Sequence, residues 1–296
     1  MKVSKKQIHN ARNSNIFGYL NKFHEHDIIG AGAGRIRLKD YHSLVVTRGI
    51  PIYCRNSTGE HGNPIELLKD YLGYTFVDAV LALSQFGDDD DYDYDFNREL
   101  IIPEHADMYD RAAKYLIETR GIDSKLVSKL MKDGLIYQEQ GHNNICFESG
   151  NYIELHGSLS YKSFKGIAAG SDSDGYWAFG FTDKPKNQSI CYVCESAIDA
   201  MSLFCIMDEA ARRDGAETPQ CYFASMGGLK QGALDRIRKE FKHVILAVDN
   251  DSVRDDTDED AGRNFCNKDQ NSLLLRKIPL KKDWNEDLLA MRQSSY

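Results

Sequence analysis

Two aspartates, Asp249 and Asp251, stand one residue apart at the end of the run HVILAVDND. The run predicts a buried strand, because it is apolar and rich in β-branched residues. Alternate residues of an extended chain point the same way, so both carboxylates are expected on one side. A surface loop can carry such a pair of carboxylates without any function, whereas a metal site needs carboxylates placed in this way.

Acidic residues also come directly after other predicted strands. The C-terminal third alternates strand and helix patterns in the order β-α-β-α-β, which is typical of a parallel sheet covered by helices. Glu195 follows the end of the first strand, and Asp283 follows the end of the fourth. Asp199 follows Glu195 by one helical turn and faces the same direction. Because ligands of such sheets bind beyond the carboxyl ends of the strands, all these acids are expected at one edge.

Carboxylates gathered at one edge predict a bound cation. Like charges close together raise one another's pKa unless a positive charge compensates. Mg²⁺ takes oxygen ligands and usually binds one or two carboxylates together with a phosphate, and Mn²⁺ has similar preferences. The predicted cofactor is therefore Mg²⁺ or Mn²⁺. For Asp283 taken alone, a polar residue that simply follows a strand is the simpler explanation.

The composition is that of an ordinary globular protein, with 296 residues, 42% hydrophobic and 28% charged. A net charge of −8 argues against indiscriminate nucleic-acid binding and leaves local contacts open. The N-terminus lacks the apolar stretch of a signal peptide, and no apolar run is long enough to span a membrane, so a cytoplasmic location is expected. Seven scattered cysteines favour reduced thiols over a disulfide framework.

Composition and periodicity divide the chain into three segments and a linker. Residues 1–87 combine short helices with extended pieces, and residues 99–187 have the pattern of an α+β module. Between them, residues 88–98 include six aspartates that repel one another, which predicts a solvated acidic linker. Residues 188–296 hold the predicted parallel sheet. The predicted fold class is therefore α/β in a C-terminal domain that two smaller modules precede.

Motifs in the last segment resemble the Toprim domain, which bacterial DnaG-type primases, type IA and II topoisomerases and some nucleases share. CESAID corresponds to the E-G-x-x-D turn of that family, and FASMGGL resembles the primase segment after the second strand. ILAVDND is followed, after an insertion, by A-G-R, and KKDWNEDL resembles a segment of phage-type primases in which a further acid lies. The resemblance covers residues 187 to 290, approximately.

A weaker resemblance extends upstream. GNPIELLKDYLGYTFVDAVLAL resembles the end of the primase zinc-binding domain, and HNNICFESGNYIELHGSLSYKSF resembles the strands that precede Toprim. This order of segments is that of a compact primase core, and it is similar to the Toprim proteins carried by plasmids and conjugative elements. The resemblance implies Mg²⁺-dependent phosphoryl or nucleotidyl transfer on nucleic acid, in DNA replication or mobile-element transfer.

The resemblance also implies roles for particular residues. Asp249 and Asp251 would hold one or two metal ions, and Glu195 would be a ligand or the general base for an attacking hydroxyl. Asp199 and Asp283 would be auxiliary ligands. The implied partners are single-stranded DNA and nucleotides, with a replicative helicase or a relaxase as the candidate protein partner. The basic residues expected to contact nucleic acid or phosphate are Lys230, Arg263, Lys281 and Lys282.

The N-terminal segment departs from the primase pattern. A primase zinc site needs four Cys or His ligands in closely spaced pairs, and this segment offers His42, Cys54 and His61 without a CxxC. Zinc is therefore not expected, and the segment is interpreted as a degenerate zinc-ribbon-like domain. The CxxC of Cys191 and Cys194 lies in a predicted strand, where residues three apart face opposite sides, so core packing is expected.

Two features close to the acidic residues also differ from the family. Ser196 replaces the glycine of the E-G-x-x-D turn. An inserted acidic loop, SVRDDTDED, makes DEDAGR a second candidate for the D-x-D pair. Asp249 and Asp251 are preferred, because a buried strand leads directly into them. Basic residues that primases use in the middle segment to hold a template are sparse in this chain.

Two alternatives to a primase-like nucleotidyltransferase stay open. In a Toprim nuclease, the same metal site would activate water to cut a phosphodiester. In an accessory protein, a catalytically inactive core would bind DNA or a helicase. Binding of Mg²⁺ or Mn²⁺ separates these classes, because both enzymes require the metal and the accessory protein does not.

Overall fold

The chain forms two compact units in the computed structural model, residues 1–96 and residues 97–296. Residues 99–187 and 188–296, predicted as separate segments, therefore lie within one unit. No helix in the described part of the chain is long and apolar enough to cross a membrane. The predicted acidic linker lies outside that part. The structure describes residues 3–30, 34–57, 60–86, 99–159, 164–250, 261–268 and 270–293.

The first unit contains α1 (Lys5–Arg12), α2 (Ile16–Phe23), β1 (Ile28–Gly30), β2 (Arg35–Leu38), β3 (Leu44–Thr47), β4 (Tyr53–Arg55), β5 (Glu60–Gly62), α3 (Pro64–Tyr71) and α4 (Phe76–Gln85). The strands pair antiparallel in chain order and form one sheet. Leu44 and Val46 alternate with more exposed residues on β3, so one face of the sheet packs on the core. A capping box of Asn63 and Glu66 begins α3.

The residues considered as zinc ligands lie on or beside this sheet. Cys54 and His61 are cross-strand partners on β4 and β5, and Cys54 Sγ lies 3.6 Å from Asn56 Oδ1. His42 stands two residues before β3. In the ranges that the structure describes, no three His, Cys, Asp or Glu side chains lie close enough together to hold a metal ion. The described residues of this unit therefore give no geometry for a zinc site.

The second unit begins with α5 (Asp110–Lys114), α6 (Ser124–Lys132), β6 (Ile136–Gln138), β7 (Ile145–Ser149), β8 (Tyr152–His156) and β9 (Lys165–Ile167). The four strands form an antiparallel sheet in chain order. α5 continues as a π-helical turn over Tyr115–Thr119. The side chain of Asp123 caps α6 by accepting the backbone N–H groups of Lys125 and Leu126. This part is the predicted α+β module.

The unit continues with β10 (Trp177–Gly180), β11 (Ile190–Cys194), α7 (Ala197–Arg213), β12 (Tyr222–Ser225), α8 (Gln231–Glu240), β13 (His243–Leu246), α9 (Ala261–Cys266), β14 (Leu275–Arg276) and α10 (Trp284–Gln293). The strands form one sheet in the order β10-β12-β11-β13-β14. β12, β11, β13 and β14 are parallel, which confirms the predicted parallel sheet. β10 pairs antiparallel with β12 and adds an edge strand from the segment predicted as the middle module.

The two cysteines of the CxxC lie on opposite faces of the parallel sheet. Both are fully buried, and Cys191 packs in the apolar cluster under α8 with Leu234 and Leu246. Cys194 packs in the cluster on the other face, which includes Trp177. Core packing, as the three-residue spacing predicted, is confirmed for both side chains.

Trp177 joins the two sheets of the second unit. Its side chain on β10 is fully buried, and its ring centroid lies 5.2 Å from that of Phe147 on β7. Its indole N–H donates to the backbone oxygen of Leu135 at 3.0 Å. The antiparallel and parallel sheets therefore share one core rather than forming separate ones.

The Trp177→Phe substitution tests this shared core. We expect the second unit to lose about 1–3 kcal/mol of stability, since the Leu135 oxygen loses one of its two donors, keeping the Glu148 N–H, and a small cavity remains. The chain has two tryptophans, so Trp284 fluorescence still reports denaturant unfolding of this unit. The control Phe164→Leu alters a side chain that is 36% exposed and should change stability by less than about 0.5 kcal/mol. Equal stabilities of the Trp177 variant and the wild type would contradict the shared core.

Candidate functional site

Asp249 lies at the centre of an acidic cluster at the carboxyl edge of the parallel sheet. It stands three residues after β13, and the intervening Ala247 and Val248 are fully buried. Its backbone N–H donates to Glu195 Oε1 at 3.2 Å, so two of the predicted ligands are in contact. Its own Oδ1 is buried and has no hydrogen-bond partner among the described residues. An acceptor buried without a donor is costly, and a bound cation would offset that cost.

The electrostatic surroundings of Asp249 are negative. Burial raises the pKa of Asp249, and the charges of Asp199, Glu195 and Asp283 raise it further. Lys282 acts in the opposite direction. The charges of the other three acids therefore act on the pKa of Asp249, as expected from a topology that brings the four residues to one edge of the sheet.

Asp199 lies in the first turn of α7 and is 4% exposed. Ser196 Oγ donates to Asp199 Oδ2 at 2.5 Å, and the Asp199 N–H donates back to Ser196 Oγ at 3.2 Å. The backbone N–H of Asn285 donates to Asp199 Oδ1 at 3.4 Å. Burial raises the pKa of Asp199, and the charge of Asp283 raises it further. The serine that replaces the family glycine is therefore the N-cap of α7, and it orients Asp199.

Asp283 has a structural role that accounts for its position. Its Oδ1 accepts the backbone N–H of Glu286 at 2.8 Å and so caps the first turn of α10. Its charge nevertheless reaches Asp199 and Asp249. The predicted role of Asp283 as an auxiliary ligand stays a prediction.

Glu195 is fixed by both neighbours of β11. Its carbonyl oxygen accepts the N–H of Gly228 at 2.7 Å and lies 3.4 Å from Ser225 Oγ, so it is tied to the chain at the end of β12. Its carboxylate accepts the N–H of Asp249 from the chain after β13. Glu195 therefore has a defined position between the two parallel strands that flank its own strand.

The carboxylate oxygens of the cluster are suitable ligands for a divalent cation such as Mg²⁺ or Mn²⁺. Glu195, Asp199 and Asp249 present carboxylate oxygens, which these ions prefer. Over the described residues, no three such side chains are close enough to enclose an ion as they stand. Asp251, the second aspartate of the predicted pair, lies outside the described residues. The buried Oδ1 of Asp249 is the atom around which such a site would form.

The four basic residues predicted to contact phosphate have different surroundings. Lys282 is partly buried, and its charge lowers the pKa of Asp249, which places it within electrostatic reach of the cluster. Lys230 Nζ is buried against an aromatic ring, 5.1 Å from the ring centroid. Lys281 and Arg263 are exposed.

The glycine of A-G-R has a steric role that the motif alone does not reveal. A Cβ atom on Gly262 would overlap the carbonyl oxygen of Asp249 and would lie 3.3 Å from Val248 Cγ2. Arg276 Nη2 donates to the same carbonyl at 3.3 Å. Gly262 therefore allows α9 to pack directly on the chain that carries Asp249.

Glu154 is a buried acid close to the cluster that the sequence analysis missed. It lies on β8, is 5% exposed, and accepts hydrogen bonds from the Ala197 N–H at 3.0 Å and from Ser225 Oγ at 2.5 Å. The signal in the sequence was a charged residue between the apolar Ile153 and Leu155 of the strand YIELH. That signal did not reveal the partners, because they come from a helix and a strand that are distant in the chain.

Comparison with known families agrees with this geometry. Residues 192–288 match the family model described as Toprim-like, and residues 114–185 match a family described as a protein of unknown function (DUF3991). The C-terminal part of the chain is therefore a Toprim-like domain, as CESAID and ILAVDND predicted.

The chain is also similar to particular proteins and solved structures. The chain is 32% identical over 122 residues to pXO2-78, an uncharacterized protein of Bacillus anthracis, and the match covers 38% of this chain and 34% of that protein. The chain thus spans about a third of the length of this relative. The primase fragment of the bacteriophage T7 primase-helicase protein has 14% identity and a TM-score of 0.37, covering 60% of this chain and 70% of that one. The Aquifex aeolicus primase (zinc-binding and RNA polymerase domains) has 14% identity and a TM-score of 0.32, covering 98% and 85%.

The raised pKa of Asp249 predicts a pH-dependent effect of Asp249→Asn on stability. The folded state binds a proton on Asp249 more tightly than the unfolded state, so wild-type stability falls as pH rises from the unfolded pKa of about 4 through the folded value. The asparagine does not titrate. Without divalent cations, we expect the variant to be more stable than the wild type at neutral pH by about 1 kcal/mol or more, and the difference to shrink toward about pH 4.

Denaturant unfolding followed by tryptophan fluorescence measures this difference at each pH. The control is Asp183→Asn, an exposed aspartate in the same unit, which should leave the pH dependence unchanged. A variant at position 249 that is less stable than the wild type at neutral pH would contradict the cost of burial at this site.

The Gly262→Ala substitution tests the close packing of α9. The added methyl group overlaps the Asp249 carbonyl, so we expect a loss of about 1–3 kcal/mol in the unfolding free energy of the second unit. Gly141 is the matched control, because its added Cβ would meet no atom within 4 Å. A Gly262 variant as stable as the Gly141→Ala variant would show that α9 does not pack on Asp249.

Proposed function

We propose that this chain is a primase-like Toprim enzyme that transfers nucleotidyl groups on nucleic acid with the help of Mg²⁺ or Mn²⁺. The observation that carries the proposal is the buried Oδ1 of Asp249, which has no hydrogen-bond partner among the described residues. It lies among the charges of Glu195, Asp199 and Asp283 within a Toprim-like domain. Such a cluster is destabilising without a counter-charge, and metal-dependent phosphoryl transfer provides a reason to keep it.

The proposed metal ligands combine the acids of the cluster with Asp251, which the sequence pattern predicts. Asp249, Asp251 and Glu195 would be the main ligands, with Asp199 and Asp283 as auxiliary acids. A Mg²⁺ or Mn²⁺ ion held by these residues would supply positive charge to offset the negative charge that develops on a transferred phosphoryl group. The buried setting strengthens this effect, because electrostatic interactions are less screened away from water.

The chain's own residues would perform the remaining tasks. The Glu195 carboxylate, held by the Asp249 N–H, would accept the proton of an attacking 3′-hydroxyl. That hydroxyl oxygen would bond to the α-phosphorus of a nucleoside triphosphate, and pyrophosphate would leave with the electron pair of the broken P–O bond. Lys282, whose charge acts on Asp249, would stabilise the phosphate oxygens. Lys230, Arg263 and Lys281 are the further proposed contacts to nucleic acid.

The order of the segments supports the primase-like class over a nuclease. An antiparallel-sheet unit comes first, and an α+β module and the Toprim-like domain follow, as in the primase core that the sequence resembles. The proposed partners are therefore single-stranded DNA and nucleotides, with a replicative helicase or a relaxase as the protein partner to test.

Synthesis of labelled oligomers tests the proposal directly. Purified protein is incubated with single-stranded circular DNA, labelled nucleotides and Mg²⁺ or Mn²⁺, and the products are separated on a denaturing gel. We expect short labelled oligomers from the wild type and from Asp183→Asn, and a loss of about 100-fold or more with Asp249→Asn, since that change removes a main ligand.

Each other result on the same gel identifies a different class. A cut circle without labelled product means a Toprim nuclease, and an intact circle without product indicates a binding module. Either result would overturn nucleotidyl transfer as the function. Labelled oligomers of equal yield from the Asp249→Asn variant would place the reaction at another site.

A further inference from the structure

Glu154 is a buried acid in a different sheet from the acidic cluster. It lies on β8 of the antiparallel sheet, opposite Phe147 on one neighbouring strand and Ile167 on the other. At 5% exposure its carboxylate has left water almost completely. Burying a carboxylate is costly unless it accepts hydrogen bonds. The groups that donate to Glu154 therefore indicate its role.

Both oxygens of Glu154 accept hydrogen bonds from chain segments that flank Glu195. Oε1 accepts the N–H of Ala197, the first residue of α7, at 3.0 Å. Oε2 accepts the hydroxyl of Ser225, the last residue of β12, at 2.5 Å. The same Ser225 Oγ lies 3.4 Å from the carbonyl oxygen of Glu195. Glu154 therefore ties the start of α7 and the end of β12 together around Glu195.

The same side of β8 also supports the glycine turn that follows β12. Gly227 N–H donates to Ser225 Oγ at 3.1 Å, and Gly228 N–H donates to the carbonyl oxygen of Glu195 at 2.7 Å. Gly227 has φ of 62°, and a Cβ there would overlap the hydroxyl of Tyr152, which is two residues before Glu154 on the same face of β8. The turn and β8 are therefore in close contact at two points.

Burial and the surrounding polar groups act on the pKa of Glu154 in opposite directions, and the net shift is upward. Burial raises the pKa of Glu154, whereas the hydrogen bonds from Ser225 and Ala197 and the charges of Lys165 and Lys230 lower it. The N-terminus of α7 adds a partial positive charge at the Ala197 N–H. Glu154 thus lies among positive groups from β9, from α7 and from the residue just before α8.

We infer that Glu154 is a positioning residue, whose carboxylate, from a second sheet, holds Glu195 in place against Asp249. Loss of this carboxylate releases the Ser225 hydroxyl and the first N–H of α7 together. The carbonyl and the side chain of Glu195 then lose the fixed frame that presents Oε1 to the Asp249 N–H. The importance of this frame for metal binding rests on the proposed function.

The Glu154→Gln substitution is the test, because glutamine has the same size and keeps an oxygen for the Ala197 N–H. It removes the carboxyl oxygen that accepts the Ser225 hydroxyl and places an N–H group there instead. The matched control is Glu148→Gln, a partly buried glutamate on β7 of the same sheet. We expect Mn²⁺ affinity, measured by electron paramagnetic resonance, to fall about tenfold or more in the Glu154 variant only.

Hydrogen exchange provides a second measurement that needs no metal. The Gly228 and Asp249 N–H groups bond to Glu195, so their exchange reports whether Glu195 is held. We expect faster exchange at both amides in Glu154→Gln and no change in the Glu148 control. Ser225→Ala, which leaves Glu154 in place, should accelerate the Gly228 amide in the same way and covers the case in which the glutamine variant fails to fold.

The two measurements separate this inference from the proposed function. A wild type that binds no Mn²⁺ overturns the proposed metal-dependent function, while the exchange rates still decide whether Glu154 positions Glu195. Unchanged exchange at Gly228 and Asp249 in the glutamine and alanine variants overturns the positioning role. Faster exchange with unchanged Mn²⁺ affinity overturns its importance for the metal.

Discussion

Negative charge removed from water at the carboxyl edge of the parallel sheet is the constraint on which the rest of this structure depends. Burial and mutual repulsion raise the pKa values of Asp199 and Asp249. The cluster therefore reduces the stability of the folded chain at neutral pH unless a cation is bound. The surrounding apolar core has to offset that cost, as it does where sites are kept for function rather than for stability.

The chain holds these carboxylates mainly with backbone N–H groups. Such donors carry no net charge, so they orient an acid without neutralising it, and the acids remain able to attract a cation. The donors come from strand exits and helix N-termini, where N–H groups lack partners in their own element. The donor and acceptor pairs are Asp249 to Glu195, Asn285 to Asp199, Glu286 to Asp283 and Ala197 to Glu154.

The antiparallel sheet contributes to the site as well as to the core. Trp177 connects the two sheets through an apolar contact and one hydrogen bond, and Glu154 connects them through two hydrogen bonds beside Glu195. The residues that match the family of unknown function and those that match the Toprim-like family are therefore joined physically in one compact unit.

The local sequence pattern was sufficient to predict the parallel sheet and the acidic residues at its edge. Strand and helix periodicities alternate over residues 188–296, and a parallel sheet brings the residues after its strands to one edge, so Glu195 and Asp249 were expected to meet. Their hydrogen bond confirms that expectation. The capping role of Ser196 and the steric role of Gly262 needed the structure, because each depends on the exact course of the neighbouring backbone.

The sequence by itself determined the fold class of the C-terminal domain and the set of acids that leave its strands, since both follow from periodicity within short stretches of chain. Only the tertiary structure decided that Glu154 joins them. Its partners are 43 and 71 residues away, on a helix and a strand beside a different sheet. No local pattern specifies such a contact, because it forms only when the two sheets pack on a common core.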